Sequence, residues 1–368
     1  MEASDLKALA DRQPAMTALD QRFYRDADIY EAEIERIFMN CWLYAGHVSE
    51  IPESGDWFLY ELDRESVIVV RAADDRVNAL ANVCRHRGSR VCTRQRGSSR
   101  RLTCPYHGWT YDLEGRLRAA AHMEDDFDKS ELGLAPVRCE VFEGMIFINF
   151  AAEPAPFEPV RESLGECLAP YALGSARVAH RQRYAIDANW KLSVENYTEC
   201  YHCAPAHPEY SRGHGLADPA FKGKGLYRAV FEAAPECGLA DRQFERIFLE
   251  APGFGADCAY THFPLVRGHL TGSDDGQPVA PLRGGITDYF GGCTDFQVGP
   301  VTFALAYCDY VVIYAFRPLG HQRSECDITW LVRGDAREGR DYDLERLTWL
   351  WHVTTEADKR IIEHNAAG

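Results

Sequence analysis

Residues 84–88 read CRHRG, and residues 104–117 read CPYHGWTYDLEGRL. The first stretch contains C-x-H and the second contains C-x-x-H, with seventeen residues between the two pairs. Two thiolates and two imidazoles on a pair of short loops form a ligand set that binds zinc as Cys₂His₂ or holds an iron–sulfur cluster. The spacing therefore predicts a metal centre in this part of the chain. Its four ligands are Cys84, His86, Cys104 and His107.

The residues that flank these ligands distinguish zinc from a cluster. A Rieske centre binds one iron through two cysteines and the other through two histidines, so that each loop supplies one of each. The two stretches resemble Rieske loops. The resemblance implies that the same four residues bind a [2Fe–2S] cluster, whose imidazole ligands raise its potential relative to an all-cysteine cluster.

Arginine is concentrated around the predicted cluster, although the chain has a net charge of −16. The group is open to three interpretations: a solvated loop, a docking surface for an acidic electron donor, or stabilisation of the extra negative charge of the reduced cluster. It comprises Arg85, Arg87, Arg90, Arg94, Arg96, Arg100 and Arg101.

A second concentration of candidate ligands is ENYTECYHCAPAHPEY at residues 195–210. A helix is predicted from about residue 189 to Pro205, which would put Glu199 and His202 on one face. His202 and His207, with one carboxylate, would form the facial triad of non-haem Fe(II) oxygenases. The C-x-x-C formed by Cys200 and Cys203 has no second cysteine pair at zinc-finger spacing nearby, so packing roles are expected for both.

The third ligand is predicted by the periodicity of the last helix, expected over about residues 341–365. A stripe at steps of three and four residues places Asp358 on an apolar face, where an unpaired carboxylate is unfavourable. Metal ligation or an arginine partner would resolve that conflict. The stripe consists of Leu344, Leu347, Trp351, Thr354, Asp358 and Ile362.

These motifs, in this order, resemble the Rieske non-haem iron oxygenases, the family of ring-hydroxylating oxygenase α subunits. The resemblance implies an α+β protein with an all-β Rieske domain and a helix-grip catalytic domain built on an antiparallel sheet. It also implies mononuclear iron bound by His202, His207 and Asp358. Glu199 would relay electrons from His107 of the partner subunit in a homotrimer, and Asn196 matches an asparagine often found near this turn.

Three regions are expected along the chain. Residues 1–45 would form a helical segment that packs on the catalytic domain, with a helix over residues 18–45. Residues 46–150 would form the Rieske domain, since short β-branched runs alternate there with turn signals. Residues 151–368 would form the catalytic domain, including an antiparallel pair made by residues 310–316 and 326–334.

The function expected from the resemblance is that of a terminal oxygenase component. The chain lacks a G-x-G-x-x-G dinucleotide motif, so a separate flavin and iron–sulfur reductase would pass on electrons from NAD(P)H. Glutamate at position 199, where many relatives have aspartate, resembles the branch that acts on carnitine and betaine, and indicates N-demethylation or C–N cleavage. The aromatic candidates for binding a cationic substrate are Tyr289, Phe290, Phe303 and Tyr307.

The sequence is also compatible with other functions. An arene cis-dihydroxylating dioxygenase, with or without a β subunit, or an O-demethylase of an aromatic acid would carry the same motifs. A Rieske electron carrier is disfavoured by the chain length and by the second metal site. The net charge of −16 argues against nucleic acid or an anionic membrane as a partner. Irregularly spaced cysteines and no visible signal peptide indicate a cytoplasmic protein.

Overall fold

The computed structural model describes residues 3–15, 17–121, 123–124, 127–214, 224–240 and 257–368. The chain forms two compact units, one of Trp42–Pro154 and one that combines Met1–Cys41 with Ala155–Gly368. The α-helices are α1 (Ala3–Asp11), α2 (Arg22–Arg25), α3 (Ala27–Glu33), α4 (Glu158–Leu168), α5 (Trp190–Thr198), α6 (Cys203–Ala206), α7 (Pro208–His214), α8 (Lys224–Ala233) and α9 (Leu344–Ala367).

The unit Trp42–Pro154 is built from ten antiparallel strands in its described part. They are β1 (Leu43–His47), β2 (Asp56–Leu62), β3 (Glu65–Arg71), β4 (Val77–Ala81), β5 (Arg96–Ser98), β6 (Leu102–Thr103), β7 (Thr110–Tyr111), β8 (Leu117–Ala119), β9 (Pro136–Phe142) and β10 (Met145–Asn149). Seven form one sheet in the order β1-β10-β9-β4-β3-β2-β5, and the other three form the sheet β6-β7-β8.

The core of this unit includes both cysteines of the two loops. Strand β3 reads ESVIVVR, and its central five residues are buried, as expected for a β-branched strand covered on both faces. Cys84 and Cys104 are each only 2% exposed and belong to the cluster formed by Ile68, Trp109 and their neighbours. The sulfur atoms are therefore held in a rigid apolar setting.

The other unit contains a six-stranded antiparallel sheet in the order β11-β16-β15-β14-β13-β12. Its strands are β11 (Arg177–Ile186), β12 (Cys258–Pro264), β13 (Gly292–Val298), β14 (Thr302–Ala306), β15 (Val311–Gly320) and β16 (Arg323–Val332). The predicted pairing of the segments at 310–316 and 326–334 is confirmed, since Val311 lies opposite Leu331 and Phe316 opposite Cys326. The α+β class expected from the sequence is confirmed.

Helices α5, α7 and α9 bring the second candidate site together, because α9 contacts both α5 and α7. The side chain of Asn189 caps α5 by accepting the N–H of Lys191, and that of Asp343 caps α9 by accepting the N–H of Arg346. Side-chain acceptors at these positions satisfy amide groups that lack partners within the helix. Both helix starts are thus fixed by local sequence.

The helical segment expected over residues 18–45 is divided into shorter helices and ends before β1. Asp26 is extended, and its side chain caps α3 by accepting the N–H groups of Asp28 and Ile29, which separates α2 from α3. A π-helical turn follows at Ile34–Phe38. Leu43 then begins β1, whose five residues are all buried. Apolar spacing alone did not distinguish that strand from a continuing helix.

In the described part of the chain, no helix combines the length and apolar character needed to cross a membrane.

Candidate active site

The two loops of the unit Trp42–Pro154 use the same backbone turn. In the first, the N–H of Cys84 donates to the carbonyl of Ser89, and the N–H of Gly88 donates to that of Cys84. In the second, Cys104 donates to Trp109, and Gly108 donates to Cys104. The two glycines have φ of 74° and 72°, a left-handed conformation that favours glycine. Each therefore places a histidine at the same end of the unit.

His86 and His107 lie side by side, with ring centroids 4.6 Å apart. Trp109 stacks on His86 at 4.8 Å and fixes the plane of its ring. Nδ1 of His86 is buried and has no hydrogen-bond partner among the described residues. A buried imidazole nitrogen without a partner is unfavourable unless it binds something, so two buried thiols and this nitrogen fit a Rieske cluster.

Tyr111, on β7, contacts the first loop at Cys84 and Arg85. Its hydroxyl oxygen accepts the N–H of Arg85 at 3.1 Å and lies 3.3 Å from Sγ of Cys84. Because the amide already supplies one proton to the oxygen, the hydroxyl proton is free to be donated to the sulfur. Such a bond stabilises negative charge on a cluster ligand.

In the other unit, Glu199 orients His202. Oε1 of Glu199 lies 2.8 Å from Nδ1 of His202, while Nδ2 of Asn196 lies 3.4 Å from Nε2 of the same ring. A carboxylate and an amide N–H on opposite nitrogens favour the tautomer with the proton on Nδ1 and a lone pair on Nε2. His202 thus presents a ligand atom on the side away from Glu199.

That ligand atom converges with two others. Oδ1 of Asp358 lies 3.2 Å from Nε2 of His202 and 2.8 Å from Nε2 of His207. The three potential ligand atoms all lie within 4.8 Å of one another. The pKa of His202 is raised to about 9, chiefly by its hydrogen bond with Asp358, so a proton on Nε2 competes with a metal ion for this position. The three side chains therefore favour a positive charge between them, which fits the donor set of a mononuclear iron.

The position of Glu199 differs from the predicted helix. Helix α5 ends at Thr198, and Glu199 has an extended backbone at its C-cap. The carboxylate nevertheless reaches His202 and also accepts the N–H of Tyr201. Their closeness comes from a turn after the helix, so the inference from a shared helix face was wrong in its geometry.

A cavity of about 90 Å³ opens beside the three side chains. Its aromatic walls are Tyr197, Tyr210, Phe263, Tyr314 and Trp351. Its other lining residues are Asn196, Cys200, His202, Cys203, His207, Asp295, Leu305, Thr354 and Asp358. Apart from the histidines and tyrosines, the ionisable groups in this described lining are two carboxylates and two thiols.

The aromatic side chains predicted from the sequence lie elsewhere. Phe303 stacks behind Tyr197 at 4.5 Å, and Phe290 packs against His262 at 5.1 Å. Tyr307 is fully buried, and Tyr289 is not among the side chains described as lining the cavity. The aromatic lining of the cavity therefore consists of other rings.

Those rings were not predicted, and each of two features of the chain explains part of the difference. Trp351 lies two helical turns before Asp358 on the same stripe, a signal that was present and was assigned only to packing. Tyr314 and Asp295 lie on β15 and β13, and their side chains reach the cavity only through the strand order of the sheet. Packing roles were expected for Cys200 and Cys203, and the structure places both at the wall of the cavity.

Two families match the two units. Residues 41–137 match the Rieske [2Fe–2S] domain, and residues 173–368 match the ring hydroxylating alpha subunit catalytic domain. The chain therefore belongs to the ring-hydroxylating oxygenase α subunits, the Rieske non-haem iron oxygenases. It is an oxidoreductase whose cofactors are a Rieske [2Fe–2S] cluster and mononuclear iron.

The chain is similar to two curated oxygenase subunits and to one solved structure. The chain is 34% identical over 357 residues to the glycine betaine monooxygenase oxygenase subunit of Pseudomonas aeruginosa, covering 95% of this chain and 82% of that protein. It is 36% identical over 206 residues to the carnitine monooxygenase oxygenase subunit of Escherichia coli, covering 55% of each chain. The fold is similar to that of the quaternary ammonium Rieske monooxygenase CntA, with a TM-score of 0.70 at 22% identity, covering 95% of this chain and 84% of that one.

Proposed function

We propose that this chain is the terminal oxygenase that hydroxylates a carbon bonded to the nitrogen of a quaternary ammonium compound. The observation that carries the proposal is the cavity beside His202, His207 and Asp358, which combines aromatic faces with carboxylates. Aromatic faces attract organic cations, most strongly where water is excluded. The 34% identity to a glycine betaine monooxygenase subunit over 95% of the chain supports the same substrate class.

The cation would sit against the aromatic walls, with Tyr197 as one of the faces. Tyr197 is backed by Phe303 at 4.5 Å and approaches Tyr314 at 5.2 Å, so its ring is held in place. Asp295 adds a negative charge to the lining. This arrangement would orient a methyl group toward the histidines and exclude water from the ammonium group.

His202, His207 and Asp358 would bind the iron, which, when bound, supplies the activation of O₂. Glu199 would hold the proton of His202 on Nδ1, so that Nε2 is available as a ligand. Cys84, His86, Cys104 and His107 would hold the cluster, which stores the electrons. These roles place two redox centres on two different units of the chain.

Glu199 would also receive electrons from His107 of the partner subunit. Both residues are exposed, and each has an exposed aromatic neighbour: Tyr106 is 56% exposed and Tyr201 is 95% exposed. Such exposed rings are typical of protein interfaces. Contact between the cluster end of one copy and the iron end of the next is heterologous, and a closed ring satisfies it. We infer a homotrimer.

The overall reaction uses one O₂, two electrons and two protons. One oxygen atom is inserted into a C–H bond of an N-methyl group, and the other leaves as water. The N-hydroxymethyl product then breaks its C–N bond, releasing formaldehyde, the tertiary amine and a proton. A separate reductase would deliver the electrons, and exposed arginines near the cluster, among them Arg87 and Arg94, would attract an acidic partner.

Reoxidation of the reduced cluster tests the substrate class. The reduced holoenzyme is mixed with O₂ and either a trimethylammonium compound, its neutral tert-butyl analogue or an aromatic acid. We expect rapid cluster oxidation and formaldehyde only with the ammonium compound. Reoxidation by the aromatic acid alone would instead assign an arene oxygenase, and equal responses to the cation and its neutral analogue would refute recognition of charge.

A pair of variants tests the aromatic wall. Tyr197→Phe retains the ring and should leave KM for the ammonium substrate within about twofold. Tyr197→Leu removes the ring and should raise KM about tenfold, since a desolvated cation–π contact contributes about 1–2 kcal/mol. If the two variants behaved alike, Tyr197 would not bind the cation.

A further inference from the structure

Aromatic rings extend from the cavity into the interior of the catalytic unit. Trp351 lines the cavity together with His207 and Asp358, and its ring centroid lies 6.3 Å from that of Tyr307. Tyr307 in turn stacks on Tyr310 at 4.9 Å. The three rings are at most 3% exposed. Electron tunnelling weakens exponentially with distance, so rings this close exchange electrons readily.

The hydroxyl of Tyr307 has a base in contact with it. Nε2 of His214 lies 2.7 Å from the Tyr307 oxygen, while Nδ1 lies 3.0 Å from the carbonyl oxygen of Tyr210. A carbonyl only accepts, so Nδ1 must donate. Burial lowers the pKa of His214 to about 4, which keeps the ring neutral with its lone pair on Nε2. Tyr307 therefore donates its proton to His214.

Neighbouring tyrosines have different partners. The hydroxyl of Tyr310 donates to the carbonyl of Gly272 and accepts the indole N–H of Trp351. Tyr314 shares a hydrogen bond with the hydroxyl of Thr355. Neither a carbonyl nor an alcohol takes up a proton readily. A phenol that loses an electron becomes strongly acidic. Because Tyr307 has a base in contact with its hydroxyl, it is the easiest of Tyr307, Tyr310 and Tyr314 to oxidise.

We propose that Tyr307 and His214 form a proton-coupled oxidation site, which takes up an oxidising equivalent from the iron site when O₂ has been activated and no substrate has reacted. One electron passes from Tyr307 through Trp351 to the iron site. The phenolic proton moves to Nε2 of His214. The products are a neutral tyrosyl radical and an imidazolium, and one electron from the cluster with return of the proton restores both residues. The pair protects the iron ligands during uncoupled turnover.

Freeze-quench electron paramagnetic resonance tests the proposal. The reduced holoenzyme is exposed to O₂ without substrate and frozen within milliseconds to seconds. We expect an organic radical whose hyperfine structure collapses when the protein contains ring-deuterated tyrosine. Tyr307→Phe should remove this signal. Tyr171→Phe is the matched control, because Tyr171 is also fully buried but bonds to Thr294 outside this group of rings, and it should keep the signal.

A second variant separates the base from the hydrogen bond. His214→Gln preserves an acceptor for Tyr307 but cannot take its proton, so the radical yield should fall at least tenfold. Peptide mass spectrometry after repeated uncoupled turnover should then find oxidation moved to Trp351 or the iron ligands. The proposal is overturned by the absence of any radical in the wild type, by an unchanged signal in His214→Gln, or by insensitivity to tyrosine deuteration. Should Tyr307→Phe fail to fold, His214→Gln alone decides.

Discussion

Nε2 of His207 and Oδ1 of Asp358 lie 2.8 Å apart, although 151 residues separate them in the chain. One residue follows the short helix α6, and the other lies in the long helix α9. The side chain of His207 is 1% exposed, whereas that of Asp358 is 22% exposed. The imidazole of His207 is thus enclosed by the protein, whereas the carboxylate of Asp358 is partly open to solvent.

Asp358→Ala should lose the mononuclear iron and retain the cluster. Removing the carboxylate leaves two imidazoles, a set too small to hold Fe(II) firmly in an oxygenase site. The measurement is iron and acid-labile sulfide per chain together with the visible spectrum: iron should fall from three to two, while sulfide stays at two. Glu356→Gln, on the exposed side of α9, is the control. Unchanged iron content in Asp358→Ala would reject this ligand.

Glu199→Gln should retain both metals but slow electron transfer from the cluster to the iron by about 10–100-fold, the usual effect of losing a hydrogen-bond partner of a metal ligand. Stopped-flow oxidation of the reduced cluster with substrate and O₂ measures the rate. Glu199→Asp keeps the charge and shortens the side chain by one methylene. It therefore tests whether the length of the side chain matters for electron transfer. A wild-type rate in Glu199→Gln would contradict the relay.

Tyr111→Phe should lower the reduction potential of the cluster. The hydroxyl lies 3.3 Å from Sγ of Cys84, and its proton stabilises the more negative, reduced cluster. Loss of a hydrogen bond to a charged group of about 1.4 kcal/mol corresponds to about 60 mV for one electron. A redox titration followed by absorbance measures the shift. Tyr106→Phe, at an exposed ring, should leave the potential unchanged.

Asp327→Asn should destabilise the catalytic unit by about 3–5 kcal/mol, the usual cost of breaking a buried ion pair. Its carboxylate, with 2% of the side chain exposed, lies 2.8 Å from Arg181 and 3.1 Å from Arg183. The substitution removes the counter-charge from the guanidinium of Arg181, whose side chain is only 10% exposed. Thermal unfolding measures the effect. Asp341→Asn, at a pair with exposed Arg340, should change stability by less than about 1 kcal/mol.

The stability of the catalytic unit should fall as the pH drops from 6.5 toward 4, partly through His262. Burial lowers the pKa of His262 from 6.5 to about 4, so between these values the unfolded chain binds a proton that the folded chain does not. The stabilisation is present above pH 6.5 and is lost as the pH falls through about 4. His262→Gln should reduce the slope of Tm against pH, and His364→Gln, at an exposed residue, should not. An unchanged slope in His262→Gln would show that this ring does not titrate as described.

The sequence was most informative where function depends on short spacing or on helical periodicity. The two Cys–His pairs and the stripe that contains Asp358 are patterns of this kind, and the structure brings His202, His207 and Asp358 together. The cavity wall was not predicted, because Asp295 and Tyr314 reach it through the lateral order of strands that are distant in sequence. Glu199 was matched to His202 for a wrong geometric reason, since three-residue spacing fits a turn as well as a helix.

Helix α9 has a consequence for how this protein tolerates insertions and deletions. The connections between His207 and the start of α9 can gain or lose residues at loops without moving the iron site, provided that the sheet keeps its order. One residue inserted between Leu347 and Asp358 would rotate the carboxylate by about 100° around the helix axis. The number of residues between His207 and α9 can therefore vary. The rotation of α9 about its axis is constrained over the three turns that precede Asp358, because it sets the direction of that side chain.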